Sequence, residues 1–193
     1  IRTDSRCDGH GLPVMVWLYG GAFQTGSTCE KEFNGEQLAR QGVVVVSIAY
    51  RLNVFGFFAH AMLEKEAVDG RPCANFGFLD QRMGIQWVKD NIALFGGDPA
   101  NITVFGQSAG AASALAQSVS PMNDGLFQRV IMQSGGGTGL FNRHLWSLED
   151  AQRNGARFLK YLEVESIAEA RSVPATDLLE AAVTFPACDW SGQ

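Results

Sequence analysis

The segment Gly106-Gln107-Ser108-Ala109-Gly110 combines a hydroxyl nucleophile with two flanking glycines. It follows a strand-like run, Ile102 to Phe105, and precedes small residues with helical character, Ala111 to Ala116. A strand that turns sharply into a helix holds its central residue in a strained conformation, and flanking glycines relieve the crowding. This context predicts a nucleophile elbow, in which Ser108 attacks an acyl carbon.

A glycine-rich loop, Tyr19-Gly20-Gly21-Ala22-Phe23, directly follows a second strand pattern, Val14 to Leu18. With 22 glycines in 193 residues, the serine motif arises easily by chance, so this second feature matters to the interpretation. Acyl transfer needs backbone N–H donors aimed at the developing oxyanion, and a loop of this kind supplies them. A tight turn after a core strand is the alternative interpretation.

Strand and helix patterns alternate along the chain, which favours an α/β fold with a mainly parallel sheet covered by helices. The clearest helix runs from about Asp80 to Leu94, and its spacing predicts one apolar stripe. That stripe consists of Ile85, Val88, Ile92 and Phe95. The other predicted elements are a strand in Gly42 to Ala49 that is buried on both faces, a strand at Ile102 to Phe105, a helix from Ser108 to about Val119, a strand at Arg129 to Met132, and a helical region from Ser147 to Val183 that Pro174 interrupts.

Several stretches of the chain together resemble the type-B carboxylesterase family, which includes cholinesterases, bile-salt-activated lipases, and bacterial and fungal esterases. The matching stretches are Pro13 to Phe23, Tyr50 to Phe57, Asn75 to Gly110 and Gln133-Ser134-Gly135. The resemblance is close over roughly positions 12 to 137 and looser elsewhere. It implies an α/β-hydrolase fold, incomplete in this chain, and we expect residues 1–193 to form a single partial domain of that fold.

The resemblance also implies roles for individual residues. Ser108 is the implied nucleophile, and the backbone N–H groups of Gly21, Ala22 and Ala109 are the implied oxyanion hole. Ala22 stands where the family often has a third glycine; it keeps the N–H donor and adds a methyl group to the acyl pocket. Gln107 stands where the family most often has glutamate, and the lost carboxylate argues against a cationic, choline-like alcohol.

A serine hydroxyl needs a histidine to take its proton and an acid to orient that histidine. None of the histidines, which are His10, His60 and His144, lies in a motif that the family uses for its base. In the family the acid and then the histidine follow the serine, at a greater distance than this chain extends. We therefore expect an internal fragment that carries the nucleophile and the oxyanion hole without acid and base.

Two further residues come into consideration for the triad by their order in the chain. His144 is the first local candidate for a base, and an exposed loop histidine is its alternative interpretation. Asp189, near the end of the chain, is expected to be structural rather than catalytic.

Arg51 and Asp80 are charged residues in otherwise apolar surroundings. Asp80 precedes Ser108, whereas the α/β-hydrolase order places the acid after the nucleophile. We therefore predict a buried structural ion pair between Arg51 and Asp80, which the resemblance also suggests.

Composition excludes several classes of function. The formal charge of −5 and 18% charged residues, without a basic cluster, give no sign of nucleic-acid binding, and no apolar run is long enough for a membrane span. The four cysteines lack C-x-x-C spacing and a paired histidine, so we expect no metal site; free thiols and disulfides both remain open. The sequence does not indicate an oligomeric state. It does not indicate a compartment either, since any signal peptide would lie upstream of Ile1.

Three functions compete on these observations. The leading hypothesis is a serine carboxylic-ester hydrolase that forms an acyl-enzyme on Ser108, uses no metal or organic cofactor and takes a small-molecule ester. Aromatic residues near the loops, such as Phe23, would suit an apolar acyl or alcohol group. A non-catalytic binding or adhesion module on the same scaffold is the second hypothesis, although such proteins usually lack the serine. An inert fragment is the third.

Overall fold

The fold was analysed in a computed structural model, which describes residues 1–4, 11–67, 73–135 and 145–185. Within these ranges, four strands form one parallel sheet in the order β2-β1-β3-β4. The strands are β1 (Leu12–Leu18), β2 (Val44–Ser47), β3 (Gly97–Gln107) and β4 (Arg129–Gln133). The α-helices are α1 (Glu36–Ala39), α2 (Asn53–Phe57), α3 (Ala61–Glu64), α4 (Phe76–Asn91), α5 (Ala109–Val119), α6 (Leu148–Tyr161), α7 (Ile167–Ser172) and α8 (Ala175–Thr184). The mainly parallel sheet with helices is therefore confirmed.

The chain forms two compact units, which are described separately. The first comprises Ile1–Tyr50 and Phe78–Asn142 and contains the sheet. The second comprises Arg51–Gly77 and Arg143–Gln193.

The core of the first unit lies against one face of the sheet. Alternate residues of β1 point to this face because side chains alternate along a strand. The cluster contains Val14, Val16 and Leu18 from β1, Val44 and Val46 from β2, Ile102 and Val104 from β3, Ile85 and Val88 from α4, Ile92, and Ala114 from α5. Parallel strands buried in this way explain the valine-rich runs of the sequence.

The register of the sheet brings two strand ends to the same edge. Leu18, the last residue of β1, pairs with Gly106, next to the last residue of β3. Both strands run in the same direction, so the loop after β1 and the turn after β3 emerge side by side. Open α/β sheets bind ligands outside the carboxyl ends of their strands, and this edge is such a position.

The predicted helix near residue 80 exists, but its ends and its stripe differ from the prediction. Helix α4 begins at Phe76, and it ends at Asn91, where a 3-10 helix, Ile92–Phe95, continues the chain. Ile85, Val88 and Ile92 are fully buried, whereas Phe95 is 39% exposed, so its place in the stripe was wrong. A 3-10 turn advances the side chains differently from an α-helix, which moves Phe95 off the buried face.

The remaining elements follow the sequence closely. Helix α5 and strand β4 lie where predicted, and β2 is buried as expected, while β3 begins five residues earlier because its first residue pairs with Leu12 of β1. In the second unit, Ser147 and Ser166 cap α6 and α7, and Pro174 directly precedes α8. No helix in the described ranges has both the length and the apolar character that a membrane span requires.

Candidate functional site

Ser108 occupies a strained turn between β3 and α5. Its φ of 55° and ψ of −123° lie outside the regions that a residue with a side chain normally adopts. The backbone holds this geometry at both ends: the Ser108 N–H donates to the Gln133 carbonyl at 2.9 Å, and the Ser108 carbonyl accepts from the N–H groups of Ala111 and Ala112. Strain of this kind persists only where the surrounding structure enforces it.

The two glycines of the turn are required by close backbone contacts. A Cβ atom on Gly106 would lie 2.3 Å from the Gly110 carbonyl oxygen, and one on Gly110 would lie 2.0 Å from the Leu18 carbonyl oxygen. Any larger residue at either position would push β1, β3 or α5 out of place. Steric crowding therefore explains why glycine occupies both positions, as the sequence pattern predicted.

The loop after β1 is a tight turn built on left-handed residues. Gly21, Ala22 and Phe23 have φ values of 104°, 54° and 60°. The Gly21 carbonyl accepts from the N–H groups of Gln24 and Thr25 at 2.9 and 3.0 Å, which closes the turn. Gly21 and Ala22 are exposed. The loop therefore presents its backbone at the surface of the first unit.

The loop and the serine turn are in direct contact through Gly20. A Cβ atom on Gly20 would lie 2.7 Å from the Gln107 carbonyl oxygen and 3.2 Å from the Ser108 Cβ. Gly135, after β4, approaches from another direction, with its Cβ position 2.6 Å from the Ser108 carbonyl oxygen. The sequence patterns gave neither glycine a role of its own; the signal that could have found them is a glycine two residues after the end of a strand.

Three backbone N–H groups near this contact are available for a ligand. Those of Gly21, Ala22 and Ala109 donate to no acceptor among the residues that the structure describes. Ala109 is the first residue of α5. The first N–H groups of a helix have no hydrogen-bond partner within the helix. Unpaired donors at a helix start and in an adjoining loop can together hold a negatively charged oxygen.

The Ser108 hydroxyl is half-buried and makes no hydrogen bond to another described residue. The one described histidine, His60, accepts the Met62 N–H at its Nδ1 atom at 3.1 Å, where it caps α3 in the second unit. Burial lowers the pKa of His60. His10, His144 and Asp189 lie outside the described residues. The described part of the chain therefore contains the candidate nucleophile without a base in contact with it.

Phe23 is not available to line a substrate pocket in this structure. Its side chain is 1% exposed and packs edge-on against Phe78, with ring centroids 5.5 Å apart. The expectation that Phe23 contacts an acyl or alcohol group is therefore wrong for the described geometry, because its ring is buried against Phe78.

Gln107 lines an open cavity of about 670 Å³ beside the serine turn, together with Trp17, Phe33 and Phe105. Gln107 contributes an amide in place of a carboxylate, and Gln133 and Ser134 add further polar groups at this end. The indole Nε1 of Trp17 is buried without a hydrogen-bond partner among the described residues. The cavity also carries charged side chains, those of Lys31, Glu32 and Glu36.

Arg51 and Asp80 belong to different units. Arg51 is exposed, with its guanidinium carbon 5.2 Å from the centroid of the Phe76 ring, so the prediction of burial is wrong for this residue. Asp80 is half-buried and lies close enough to Tyr19 for its charge to help raise the pKa of that phenol. The pairing of Arg51 with Asp80 stays a prediction.

The described residues contain no cluster of His, Cys, Asp and Glu that could hold a metal ion. Cys29 and Cys73 are free thiols, and Cys7 and Cys188 lie outside the described residues.

Comparisons with known proteins match almost the whole chain. A family model described as "Carboxylesterase family" matches residues 3–189. The para-nitrobenzyl esterase of Bacillus subtilis is 43% identical over 174 residues, which are 89% of this chain and 33% of that protein. The bile salt-activated lipase of Mus musculus is 50% identical over 133 residues, which are 65% of this chain and 21% of that protein.

Solved structures agree with this result. The carboxylesterase of Geobacillus stearothermophilus superimposes with a TM-score of 0.80 at 42% sequence identity, covering 93% of this chain and 37% of that one. The described sheet and helices thus form part of the α/β-hydrolase fold, as expected. The chain spans between about a fifth and a third of the length of the curated relatives it matches.

Proposed function

Because the chain belongs to the carboxylesterase family, we propose that it carries the nucleophile and the oxyanion hole of a serine carboxylic-ester hydrolase. The observation that supports this most strongly is the contact of Gly20 with Ser108. It joins the strained serine turn to the loop whose Gly21 and Ala22 N–H groups have no acceptor in the described part of the chain. The activity is proposed for the full-length protein, since this chain spans only part of the length of its relatives.

The reaction begins when the Ser108 Oγ attacks the carbonyl carbon of the ester. The serine proton passes to a histidine, and the carbonyl oxygen becomes an oxyanion. Collapse of this intermediate breaks the bond to the alcohol, which leaves with the proton from the histidine. Water then attacks the acyl-enzyme by the same steps and releases the acid, which regenerates the Ser108 hydroxyl.

The backbone N–H groups of Gly21, Ala22 and Ala109 are proposed to stabilise the oxyanion. Their lack of protein acceptors within the described ranges supports this role, because donors that are already unpaired need no rearrangement during the reaction. The methyl group of Ala22 leaves its N–H in place. Neither a metal ion nor an organic cofactor takes part in these steps.

The histidine and the acid are proposed to come from residues outside the described part of the chain. This assignment is supported by two observations: within the described ranges the Ser108 hydroxyl has no hydrogen-bond partner, and His60 caps α3.

The substrate is proposed to be a small ester with an uncharged alcohol. Gln107, which lies next to Ser108, provides no negative charge to attract a cationic alcohol. The relatives' names agree, since they include a para-nitrobenzyl esterase and a lipase.

Pre-steady-state hydrolysis of 4-nitrophenyl acetate by the full-length protein tests the acyl-enzyme. We expect a burst of 4-nitrophenol that approaches one equivalent per active site before the slower steady state. Ser108→Ala should abolish both phases, while Ser118→Ala, an exposed change at the far end of α5, should leave them unaltered. A burst that survives Ser108→Ala would contradict the assignment of the nucleophile.

A further inference from the structure

A row of buried polar side chains crosses the first unit beneath the loop after β1. Asn123, Gln117, Gln81 and Ser113 are all at least nine-tenths buried, as are Tyr50 and Tyr19. Burying polar groups costs free energy unless they are hydrogen-bonded, so the bonds among these side chains decide whether the row is stable.

Three hydrogen bonds of this row run in one direction. The Asn123 Nδ2 donates to Gln117 Oε1 at 2.7 Å, and the Gln117 Nε2 donates to Gln81 Oε1 at 3.1 Å. The Gln81 Nε2 donates to the Ser113 Oγ at 2.9 Å. Donors aligned in this way polarise one another. The Ser113 hydroxyl lies beside that of Tyr50, whose pKa burial raises and the Ser113 hydroxyl lowers. We call these five side chains the polar relay.

The relay ends on the backbone of the loop after β1. The Tyr50 hydroxyl donates to the Tyr19 carbonyl at 2.6 Å. The Tyr19 carbonyl belongs to the peptide that leads into Gly20, and Gly21 and Ala22 follow directly. A donor fixed on this carbonyl therefore fixes the orientation of the peptide plane from which the loop departs.

Tyr19 and Tyr50 also hold each other. The Tyr19 hydroxyl donates to the Tyr50 carbonyl at 3.0 Å and accepts the Tyr50 N–H at 3.2 Å. Their rings stack with centroids 4.4 Å apart and an angle of 14° between planes. Because Tyr19 follows β1 and Tyr50 follows β2, this reciprocal pair locks the two strand ends to each other.

The relay connects the two halves of the proposed oxyanion hole. Ser113 lies on α5, the helix whose first N–H is that of Ala109, while Tyr50 holds the loop that provides Gly21 and Ala22. Errors of about 1 Å in such placement can cost on the order of a hundredfold in rate. The row therefore sets the spacing between donors that must converge on one oxygen atom.

We propose that Tyr50 is a positioning residue for the oxyanion hole, acting through the Tyr19 carbonyl and itself oriented by the polar relay. This inference rests on the proposed function of Ser108. Tyr50 must keep its proton to donate, and burial supports this by raising the pKa of Tyr50 above the ordinary value of a phenol.

Tyr50→Phe in the full-length protein tests the proposal, because it keeps the stacked ring and removes only the hydroxyl. With 4-nitrophenyl butyrate we expect kcat to fall about tenfold or more and KM to change less than twofold, as for loss of transition-state stabilisation. The inhibition constant of an aliphatic trifluoromethyl ketone, which forms an oxyanion on the serine, should rise by the same factor as kcat/KM falls. Tyr161→Phe, whose exposed hydroxyl contacts only Thr184 among the described residues, is the matched control and should change neither value.

Ser113→Ala provides a second variant that leaves the Tyr50 hydroxyl in place. We expect a smaller loss of kcat than for Tyr50→Phe, and the double variant should be no slower than Tyr50→Phe alone, because Ser113 acts through Tyr50. Additive losses would contradict the relay.

The outcomes separate this proposal from the proposed function. If the wild type shows turnover that Ser108→Ala abolishes, and folded Tyr50→Phe matches the wild type in kcat and in ketone affinity, only the positioning role is overturned. If the wild type shows no turnover that depends on Ser108, the proposed function fails, and the positioning role with it. Should Tyr50→Phe fail to fold, a folded Ser113→Ala with wild-type kcat and ketone affinity would also overturn the proposal.

Discussion

Gly20 and Ser108 lie so close that a Cβ atom on the glycine would stand 3.2 Å from the Cβ of the serine. The contact joins the loop after β1 to the turn after β3, two segments that are more than 80 residues apart in the chain. It arises because Leu18 and Gly106 pair across parallel strands that end at one edge. For this reason the strained serine turn adjoins the loop in which the N–H groups of Gly21 and Ala22 have no acceptor among the described residues.

Gly20→Ala should therefore disable the site. Its Cβ would lie 2.7 Å from the Gln107 carbonyl oxygen, so the loop must move away from the serine turn. We expect kcat/KM of the full-length protein to fall about a hundredfold, in line with loss of an oxyanion donor. Steady-state kinetics with a 4-nitrophenyl ester measures the change.

Gly125→Ala is the control for this variant. Gly125 has a φ of 77° with nothing within 4 Å of its Cβ position, so alanine there costs about 1 kcal/mol of backbone strain without a contact near the site. It should lower the thermal midpoint and leave kcat/KM unaltered. Equal activity losses in the two variants would contradict the role of the Gly20 contact.

Ala22→Gly should stabilise the protein without loss of activity. Ala22 has a φ of 54°, a conformation that costs a residue with a Cβ about 1 kcal/mol and glycine almost nothing. The N–H donor is retained. Urea unfolding should show a gain of up to about 1 kcal/mol, whereas Ala93→Gly, at an exposed residue outside the left-handed region, should show a loss of about the same size. A destabilised Ala22→Gly would indicate that the methyl group is packed.

Gln107→Glu should shift selectivity towards cationic alcohols. A carboxylate next to Ser108 would attract a quaternary ammonium, whereas the amide does not. We expect the ratio of kcat/KM for a choline ester to that for its uncharged 3,3-dimethylbutyl isostere to rise about threefold to tenfold, which corresponds to roughly 1 kcal/mol. Gln107→Met, which carries no charge, should leave the ratio unchanged. An increase in Gln107→Met as well would rule out the electrostatic explanation.

The pair of Glu66 and Arg171 predicts a pH dependence of stability in the second unit. Arg171 donates to both Glu66 oxygens, at 2.9 and 2.7 Å, and these bonds lower the pKa of Glu66 in the folded state. A lowered folded pKa means that the contribution is present above the unfolded pKa of about 4.3 and is lost as the pH falls through the folded value.

Arg171→Met should therefore lower the thermal midpoint slightly at pH 7, since both groups are exposed and screened by solvent. The difference from the wild type should shrink as the pH is lowered from about 5 towards 3. Calorimetric scans across this range measure it. A difference that grows on acidification would contradict the assignment.

Much of this structure could be predicted from local patterns in the sequence. The valine-rich strands, the helix after the serine and the glycine pattern of the turn each depend on neighbours within a few residues. Phe95 was misplaced because a switch from α-helix to 3-10 helix changes the side-chain phase without a local signal. Arg51 was expected to be buried because its neighbours in sequence are apolar, but it is exposed, with its guanidinium carbon 5.2 Å from the centroid of the Phe76 ring.

The polar relay could not be predicted, since its bonds join residues far apart in sequence. Tyr19 and Tyr50 are 31 residues apart, and Gln81 and Ser113 are 32 apart. None of these residues lies in a sequence motif that indicates a hydrogen-bonded network. The sequence shows a tyrosine after each of the strands β1 and β2, but they become partners only because the two strands pair in parallel.

The most direct test of the central claim is the intact mass of the full-length protein after incubation with a fluorophosphonate. This reagent phosphonylates only a serine that is activated as a nucleophile. We expect a single adduct in the wild type, located at Ser108 by peptide mapping, an adduct in Ser118→Ala and none in Ser108→Ala. A wild type that remains unlabelled, or an adduct that persists in Ser108→Ala, would contradict the account.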